Sequence, residues 1–395
     1  EPAAGLRLAA DLGDFWLIGA GYAEGRAWLE RALASAGGAA AAAEPDRARA
    51  LAAAGSLARM QGDGRAATDL LERALALQET LGDERGAMQS LMVLGHVAVR
   101  RGDLTAAGRR FGAARDRAEA IGDRATLGSA FGNLGIVADE QGDFALAAER
   151  YEAALALFRE AGDTRRIAAA LDNLGILARV RGDFAEATRR HDEALRVRQA
   201  LDDPWGVAST LNSLGVVAHA QGDLDTAEAR YQTSLRLRRE LGDEWALATS
   251  LGNLAELHRH RGDLAGAAAL QREAMALTTR VEDRLGLTMS LEGVGAIAVA
   301  AGEPARGVRL LAAADASRTA LNAPLAPSDR PDYDRTLAAA RAALNDAAFA
   351  AAWDAGHALA WDEALAAADG LTAELSASET DVGDAAAWAS VVQAN

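Results

Sequence analysis

Six histidines are the side chains best suited to acid–base or metal chemistry in this chain, and they stand at positions 96, 191, 219, 258, 260 and 357. Glu256, His258 and His260 suggest a metal site, but helical residues two apart point in different directions. Only Glu256 and His260, four residues apart, share a face and could bind one ion. His191 occupies a position that is aromatic in neighbouring repeats, which indicates a packed side chain. We therefore expect no metal site.

The glycine-rich run GAGYAEG, Gly19–Gly25, superficially resembles a phosphate-binding loop. No strand pattern precedes it, and the chain has no lysine to complete a Walker motif. We interpret this run as a turn between two helices. No serine or acidic residue stands in a recognisable catalytic triad context. The sequence therefore predicts neither an enzyme nor a cofactor site.

Charge and composition exclude further kinds of binding surface and chemistry. The net charge of −16 and the pI near 4.9 argue against a nucleic-acid or anionic-membrane surface. The absence of cysteine excludes disulfides and thiolate chemistry. No apolar run reaches the ~20 residues of a membrane span, so we expect a soluble, cytoplasmic protein. The chain begins at Glu1 rather than methionine, which indicates a piece of a longer protein.

Glycine-acid pairs divide the 395 residues at regular intervals. Glycine adopts the left-handed conformation that ends a helix, and aspartate accepts hydrogen bonds from the free N–H groups that begin the next helix. One set of pairs recurs every 40 residues and a second set falls halfway between, so each repeat is predicted to be two helices. The pairs begin at residues 62, 82, 102, 122, 142, 162, 182, 222, 242, 262 and 302, with Asp202-Asp203 and Glu282-Asp283 as variants.

Within a repeat, the two helices carry distinct packing patterns. The first helix has Phe131, Leu134, Gly135 and Ala138, and their spacings of three and four residues keep them on one face. The second helix has Tyr151 between Ala147 and Ala154, which is a large side chain flanked by small ones. This arrangement predicts close packing between neighbouring helices.

At these residues the chain resembles the tetratricopeptide repeat (TPR) family, over about residues 6–321. The repeat is 40 residues long rather than the 34 of that family. The resemblance implies an all-α, right-handed superhelical solenoid of about eight TPR-like helix pairs with a C-terminal helical cap.

The breaks in the pattern predict five segments. Residues 1–36 form a divergent first repeat, and 37–46 a linker rich in small residues. Residues 47–321 form the repeat array. Residues 322–369 are expected to cap the last repeat, and 370–395 to form a disordered tail.

The TPR resemblance also implies a binding surface, because first helices in such arrays line a concave groove. Asparagines recur at one groove position, and a primary amide offers both a donor and an acceptor to an extended peptide. The alternative is that the asparagines bond to adjacent helices. The predicted ligand-binding residues are His96, Asn133, Ile136, Glu140, Asp172, Asn173, Ile176, Arg179, Asn212, Val216, His219, Asn253, Glu256 and His260.

The run Leu310–Ala368, together with Trp28–Leu33, resembles the C-terminal sensor region of large bacterial signal-transduction ATPases, including MalT-like and LuxR-type transcription regulators. This resemblance implies a non-enzymatic regulatory module that binds a peptide, a protein or a sister domain of the same polypeptide. Two alternatives stay open, namely a scaffold or oligomerisation module and a receptor for a small molecule.

Overall fold

The computed structural model describes residues 2–19, 21–36, 43–321, 323–325 and 329–393, with side chains up to residue 377. All regular structure within these ranges is helical, as predicted, and no strand occurs in them. Among the described helices, none has the length and apolarity needed to span a membrane.

The helices follow one another as repeated pairs. Their bounds are α1 Pro2–Asp11, α2 Gly13–Ile18, α3 Tyr22–Ser35, α4 Glu44–Met60, α5 Gly64–Leu81, α6 Glu84–Arg100, α7 Leu104–Ile121, α8 Arg124–Glu140, α9 Phe144–Ala161, α10 Thr164–Val180, α11 Phe184–Ala200, α12 Pro204–Ala220, α13 Leu224–Leu241, α14 Glu244–Arg261, α15 Leu264–Arg280, α16 Arg284–Ala300, α17 Pro304–Leu321, α18 Arg330–Ala343, α19 Asp346–His357 and α20 Trp361–Gln393. The first pair is formed by α3 and a helix divided into α1 and α2. Seven regular pairs follow, from α4 to α17, so the described chain has the predicted eight pairs.

The glycine-acid pairs end one helix and begin the next. Gly242 has φ +69° and closes α13, while the carboxylate of Asp243 accepts a hydrogen bond from the backbone N–H of Ala246 at 3.1 Å. The variant pairs use the same geometry without glycine, since Asp202 and Glu282 have φ of 49° and 55°. A side chain in this region is strained, so these two turns hold a conformation that their first residue disfavours.

Glycines in the first helices allow aromatic side chains of the second helices to pack against the backbone. A Cβ atom at Gly135 would lie 2.6 Å from Cδ1 of Tyr151, and one at Gly215 would lie 2.6 Å from Cε1 of Tyr231. Both tyrosine side chains are buried. The predicted close packing of large against small residues is therefore present in these pairs.

The chain divides into two compact units, residues 1–177 and 178–395. In the N-terminal unit, Trp16 of α2 lies against Gly25 of α3, and Leu29, Leu51 and Leu71 are buried in one apolar core.

In the C-terminal unit, three helices follow the last repeat and pack on different parts of it. α18 contacts α16 and α17, α19 packs on α17, and α20 packs on α15 and α16. Ala364, Ala368 and Leu371 of α20 share an apolar core with Leu291 and Val294 of α16. These helices cover the apolar face that the last repeats would otherwise expose to solvent, which is the role of a terminal cap.

Two predicted boundaries need correction. The predicted linker, 37–46, lies outside the described residues over 37–42, and α4 already begins at Glu44. The predicted tail begins too early, because residues 370–377 continue α20 and bury Leu371 and Thr372. Side chains beyond residue 377 are outside the described part, and disorder of the tail stays a prediction there.

Candidate functional site

The first helices of the C-terminal unit line a cavity of about 810 Å³. We call it the C-terminal cavity; most of its walls come from α12, α14, α16 and α18. The lining side chains relevant to binding are Arg179, Val216, His219, Trp245, Asn253, Glu256, Arg259, His260, Asp283, Met289, Glu292, Asp329, Asp332, Tyr333 and Arg335. Six of the predicted ligand-binding residues are among them: Arg179, Val216, His219, Asn253, Glu256 and His260.

One face of α14 supplies the centre of this surface. Trp245, Asn253, Glu256 and His260 follow one another at intervals of eight, three and four residues, which keeps them on the same side of the helix. Trp245 is 60% exposed, and its indole Nε1 donates a hydrogen bond to Oδ2 of Asp283 at 2.8 Å. The same helix face therefore presents an aromatic, an amide and a carboxylate side chain to the cavity.

The two asparagines of this unit that the sequence predicts in the groove, Asn212 and Asn253, bond to each other between helices. Nδ2 of Asn253 donates to Oδ1 of Asn212 at 3.2 Å, and the buried Ser250 hydroxyl donates to the same oxygen at 2.9 Å. Ser250 in turn accepts from Arg238, a buried arginine of α13. Asn212 thus has the inter-helix role that the sequence left as an alternative. Asn253 faces the cavity, and a primary amide has further donor and acceptor capacity.

A polar cluster joins α12, α14 and α18 at one end of the cavity. Nε2 of His219 and Nδ1 of His260 are 2.7 Å apart, within hydrogen-bonding distance. Arg259 donates from Nη2 to Oδ2 of Asp332 at 2.8 Å and lies 3.0 Å from Nε2 of His260. Arg335 donates to the other oxygen of Asp332 at 2.9 Å. Asp332 therefore attaches α18 to the cavity face of α14.

The cluster shifts the protonation of its members. Burial, with the neighbouring His260 and Arg259, lowers the pKa of His219 to about 4. The contacts with His260, Arg259 and Arg335 hold the pKa of Asp332 well below its usual range, although burial opposes them. The site therefore favours an ionised Asp332 and a neutral His219.

Glu256 differs from the other acidic residues of the cluster. Within the described part of the chain, its carboxylate makes no hydrogen bond and no ion pair, although its side chain remains exposed to the cavity. The surrounding protein removes part of its hydration, and this desolvation together with nearby Asp332 raises its pKa. A cation bound beside this carboxylate would favour its ionised form and so oppose both effects.

Sequence reasoning did not find the residues that α18 contributes. Asp332, Tyr333 and Arg335 lie beyond the last repeat, where no periodic signal relates them to α14. Arg318 of α17 helps to place them, because it pairs with Glu292 through Nε and Nη2 and donates from Nη1 to the backbone oxygen of Ala323 at 3.2 Å. Only the proline-rich segment before α18 could have signalled a change of direction.

The remaining predicted residues lie in the N-terminal unit, residues 1–177. His96 and Asn133 bond to each other, with Nε2 and Oδ1 3.2 Å apart, and burial lowers the pKa of His96. Asp172 is buried, whereas Glu140 and Ile176 are exposed. Ile136 and Asn173 are half-buried. The predicted use of these seven residues as a ligand surface is untested by this geometry.

Family models of the tetratricopeptide repeat match residues 86–160, 166–240 and 247–283. These segments therefore resemble tetratricopeptide repeats in sequence. The match begins at α6 and ends at the turn before α16, so it covers the helices that supply Asn253, Glu256 and His260. No sequence among the curated proteins matches the chain.

Solved structures with tetratricopeptide-like helix pairs resemble the chain. BtubC (BKLC) from P. vanneervenii is 25% identical, with a TM-score of 0.50 over 55% of this chain and 91% of that chain. A Rap protein complexed with Competence and Sporulation Factor is 11% identical, with a TM-score of 0.63 over 94% of this chain and 99% of that chain. The Rap conjugation gene regulator of plasmid pLS20, in complex with the Phr* peptide, is 17% identical, with a TM-score of 0.52 over 69% of this chain and 73% of that chain. At such identities the two Rap structures establish a common fold only.

Proposed function

We propose that the C-terminal cavity binds an extended peptide segment that carries a basic group, and that the protein is a non-enzymatic interaction module. The observation that carries this proposal is the α14 face, which presents Trp245, Asn253 and Glu256 to one cavity. A stacking surface, an amide and an unpaired carboxylate suit an apolar side chain, a peptide group and a cation in that order.

Size and charge support this class of ligand. The cavity volume of about 810 Å³ falls within the ~300–1,000 Å³ typical of ligand pockets. Its walls contain five carboxylates, from Glu256, Asp283, Glu292, Asp329 and Asp332, against three arginines. This excess of negative charge favours a cationic ligand over an anionic one.

The solved structures of similar fold support a peptide in particular. One Rap protein is complexed with Competence and Sporulation Factor, and the Rap regulator of pLS20 is in complex with the Phr* peptide. Because these proteins share only the fold with our chain, the ligand's sequence has to be found by experiment.

A random peptide library displayed on phage tests the proposal directly. We expect selection on the wild-type protein to enrich basic peptides, and synthetic copies of them to bind. Trp245→Ala and Asn253→Ala should each weaken binding about 5- to 30-fold, since each removes a contact worth about 1–2 kcal/mol.

Arg236→Ala is the matched control, because Arg236 lies on α13 in an exposed ion pair with Glu240 outside the cavity lining. This variant should bind the selected peptides normally. Thermal melting of each variant shows whether the fold is retained. If no peptide is enriched, or if the selected peptides bind the cavity variants as tightly as wild type, the proposal is wrong.

A small-molecule ligand is the second candidate, and the observation in its favour is α18, which adds a wall of Asp332, Tyr333 and Arg335 to the cavity. The broader context also stays a proposal: a sensor region of a larger bacterial signalling or transcription-regulating ATPase, supported by the sequence resemblance at Leu310–Ala368 alone.

A further inference from the structure

Three metal-binding side chains converge at one end of the C-terminal cavity. Glu256 and His260 lie one helical turn apart on α14, and Asp332 comes from the first turn of α18. Each offers one ligand atom, and these atoms lie within 4.8 Å of one another. We propose that these residues bind one divalent transition-metal ion, for which Zn²⁺ is the best match. This inference does not depend on peptide binding, although a bound ion would take the place of the peptide's basic group at Glu256.

The donor set fits zinc by its chemistry. Imidazole nitrogen and carboxylate oxygen are both zinc donors, and zinc sites that keep an open position use three protein ligands. Ligand atoms around zinc lie about 3.4 Å apart, so the three side chains have to close by at most about 1.5 Å. Glu256 is free to make this movement, because within the described residues it has no hydrogen bond to break.

The hydrogen bonds of His260 leave the correct nitrogen available. Zinc binding uses the tautomer with the ring proton on Nδ1, which leaves a lone pair on Nε2. In this tautomer Nδ1 donates to Nε2 of His219 at 2.7 Å, while Nε2 faces Nη2 of Arg259 at 3.0 Å and Oδ1 of Asp332 at 3.6 Å. A second partner that fixes the tautomer of the ligand histidine is the usual support of a metal site.

Two arginines already bind Asp332 in the proposed metal site, and they determine how an ion could enter it. Nη2 of Arg259 lies 2.8 Å from Oδ2 of Asp332, and Arg335 donates to Oδ1 at 2.9 Å. The guanidinium of Arg259 thus already places a cation between His260 and Asp332, where the metal ion would lie. Metal binding therefore requires Arg259 to turn away from His260, and the ion replaces its charge. Asp332 can keep the bond to Arg335 through one oxygen while the other binds the metal.

The ion would connect α18 to α14 more firmly than the arginine does. Three protein ligands leave a fourth position for water, on the side that faces the cavity. Zinc would therefore stabilise the attachment of α18 and provide a site where a ligand's amine or carboxylate could replace the water.

Isothermal titration of the full chain with zinc chloride tests the site without any peptide. We expect one equivalent of Zn²⁺ to bind and to raise the melting temperature. Glu256→Gln and His260→Gln should each weaken zinc binding at least tenfold, because each removes one of three ligands. Mg²⁺ should bind far more weakly, since a histidine ligand favours zinc.

His258→Gln is the matched control, since this histidine lies two residues away on α14 and pairs with Asp263, at 2.6 Å from Nδ1 to Oδ2. It should bind zinc like wild type. Melting curves without metal show whether each variant folds, and Glu256→Gln decides the question if His260→Gln does not. Absence of zinc binding by the wild type, or unchanged binding by Glu256→Gln, would overturn the proposal. Loss of binding in His258→Gln alone would place the ion elsewhere.

Discussion

The repeat helices α11–α17 and the later helices α18–α20 belong to one compact unit but are specified in different ways. The repeat helices α11 to α16 begin at aspartate caps, and the repeat helices are separated mostly by left-handed glycines. In the later helices, α18 follows Asp329 without a side-chain cap, and α19 begins at Asn345, whose side chain accepts from the N–H of Ala348. The repeats thus depend on local signals that recur, and the later helices do not.

What places the later helices is contact over long sequence separations. Asp332 of α18 pairs with Arg259, which is 73 residues away, and Asp369 of α20 pairs with Arg272, which is 97 residues away. Such ion pairs orient a helix, and the apolar side chains between helices supply most of the stability. The cavity exists where these two kinds of structure meet, because α14 and α16 come from the repeats and α18 does not.

The largest difference in unfolding free energy between the two regions is expected when a tyrosine in each is replaced by alanine. Tyr231 is 1% exposed and fills the space above Gly215, so Tyr231→Ala should lower the free energy of unfolding by about 3–5 kcal/mol. Tyr333 of α18 is only half-buried, and Tyr333→Ala should cost less than half as much. Urea unfolding followed by circular dichroism measures both values.

Equal losses in the two variants would contradict the distinction, because they would show that α18 is as much a part of the cooperative core as the repeats. A second check is the slope of the urea transition, which depends on the surface exposed on unfolding. We expect the slope to stay unchanged in Tyr333→Ala.

The stack of repeats was predictable because its determinants are local. Gly142-Asp143 shows where a helix ends, and Leu134, Gly135 and Tyr151 show which faces meet. A period of 40 residues repeats these signals often enough to establish the register of every pair. The cavity-facing residues Asn253, Glu256 and His260 could be predicted for the same reason, since their positions follow from the register.

The approach of α18 to α14 and the role of Asn212 depend on tertiary contacts, which leave no periodic signal in the sequence. Nothing near Asp332 or Tyr333 indicates that α18 approaches α14, because that approach depends on the turn held by Arg318 and on ion pairs across the unit. The role of Asn212 was equally hidden, since it depends on the hydroxyl of Ser250 and the buried Arg238 behind it. Side-chain networks of this kind form only when distant helices pack together, so the sequence gives no local signal for them.

A smaller change in unfolding free energy is expected on acidification, and it arises in the polar cluster where α18 contacts the repeat helices. The folded pKa of His219 is about 4, below the usual 6.5. Between these values the unfolded chain takes up a proton that the folded chain does not, so stability falls as pH falls from about 6.5 to 4. The raised pKa of Glu256 acts in the opposite direction over this range, and the lowered pKa of Asp332 matters only at more acidic pH.

His219→Gln isolates this contribution. Between pH 7 and pH 4.5, we expect this variant to lose about 1–2 kcal/mol less unfolding free energy than wild type, after solvent screening is allowed for. His357→Gln, on α19 away from the cavity lining, is the control for loss of a histidine: it removes the pair with Asp315 at 3.2 Å but keeps His219, so the fall in stability that His219 causes should remain. If His219→Gln loses as much stability on acidification as wild type does, proton uptake at His219 is not what destabilises this end of the cavity.

The smallest effect concerns the local signals themselves. Glu282 is exposed and has φ 55°, a conformation that costs a residue with a side chain roughly 1 kcal/mol and costs glycine almost nothing. Glu282→Gly should therefore raise the free energy of unfolding by about 1 kcal/mol, despite the greater freedom of glycine in the unfolded chain. Gly242→Ala introduces the opposite change at an equivalent turn with φ +69° and should lower stability by a similar amount. Thermal melting of both variants measures the difference.

If both changes destabilise, contacts of the Glu282 side chain would outweigh its backbone strain. If the two effects have opposite signs, the helix boundaries of the repeats are set by backbone conformation, whereas the boundaries of α18–α20 depend on their tertiary contacts.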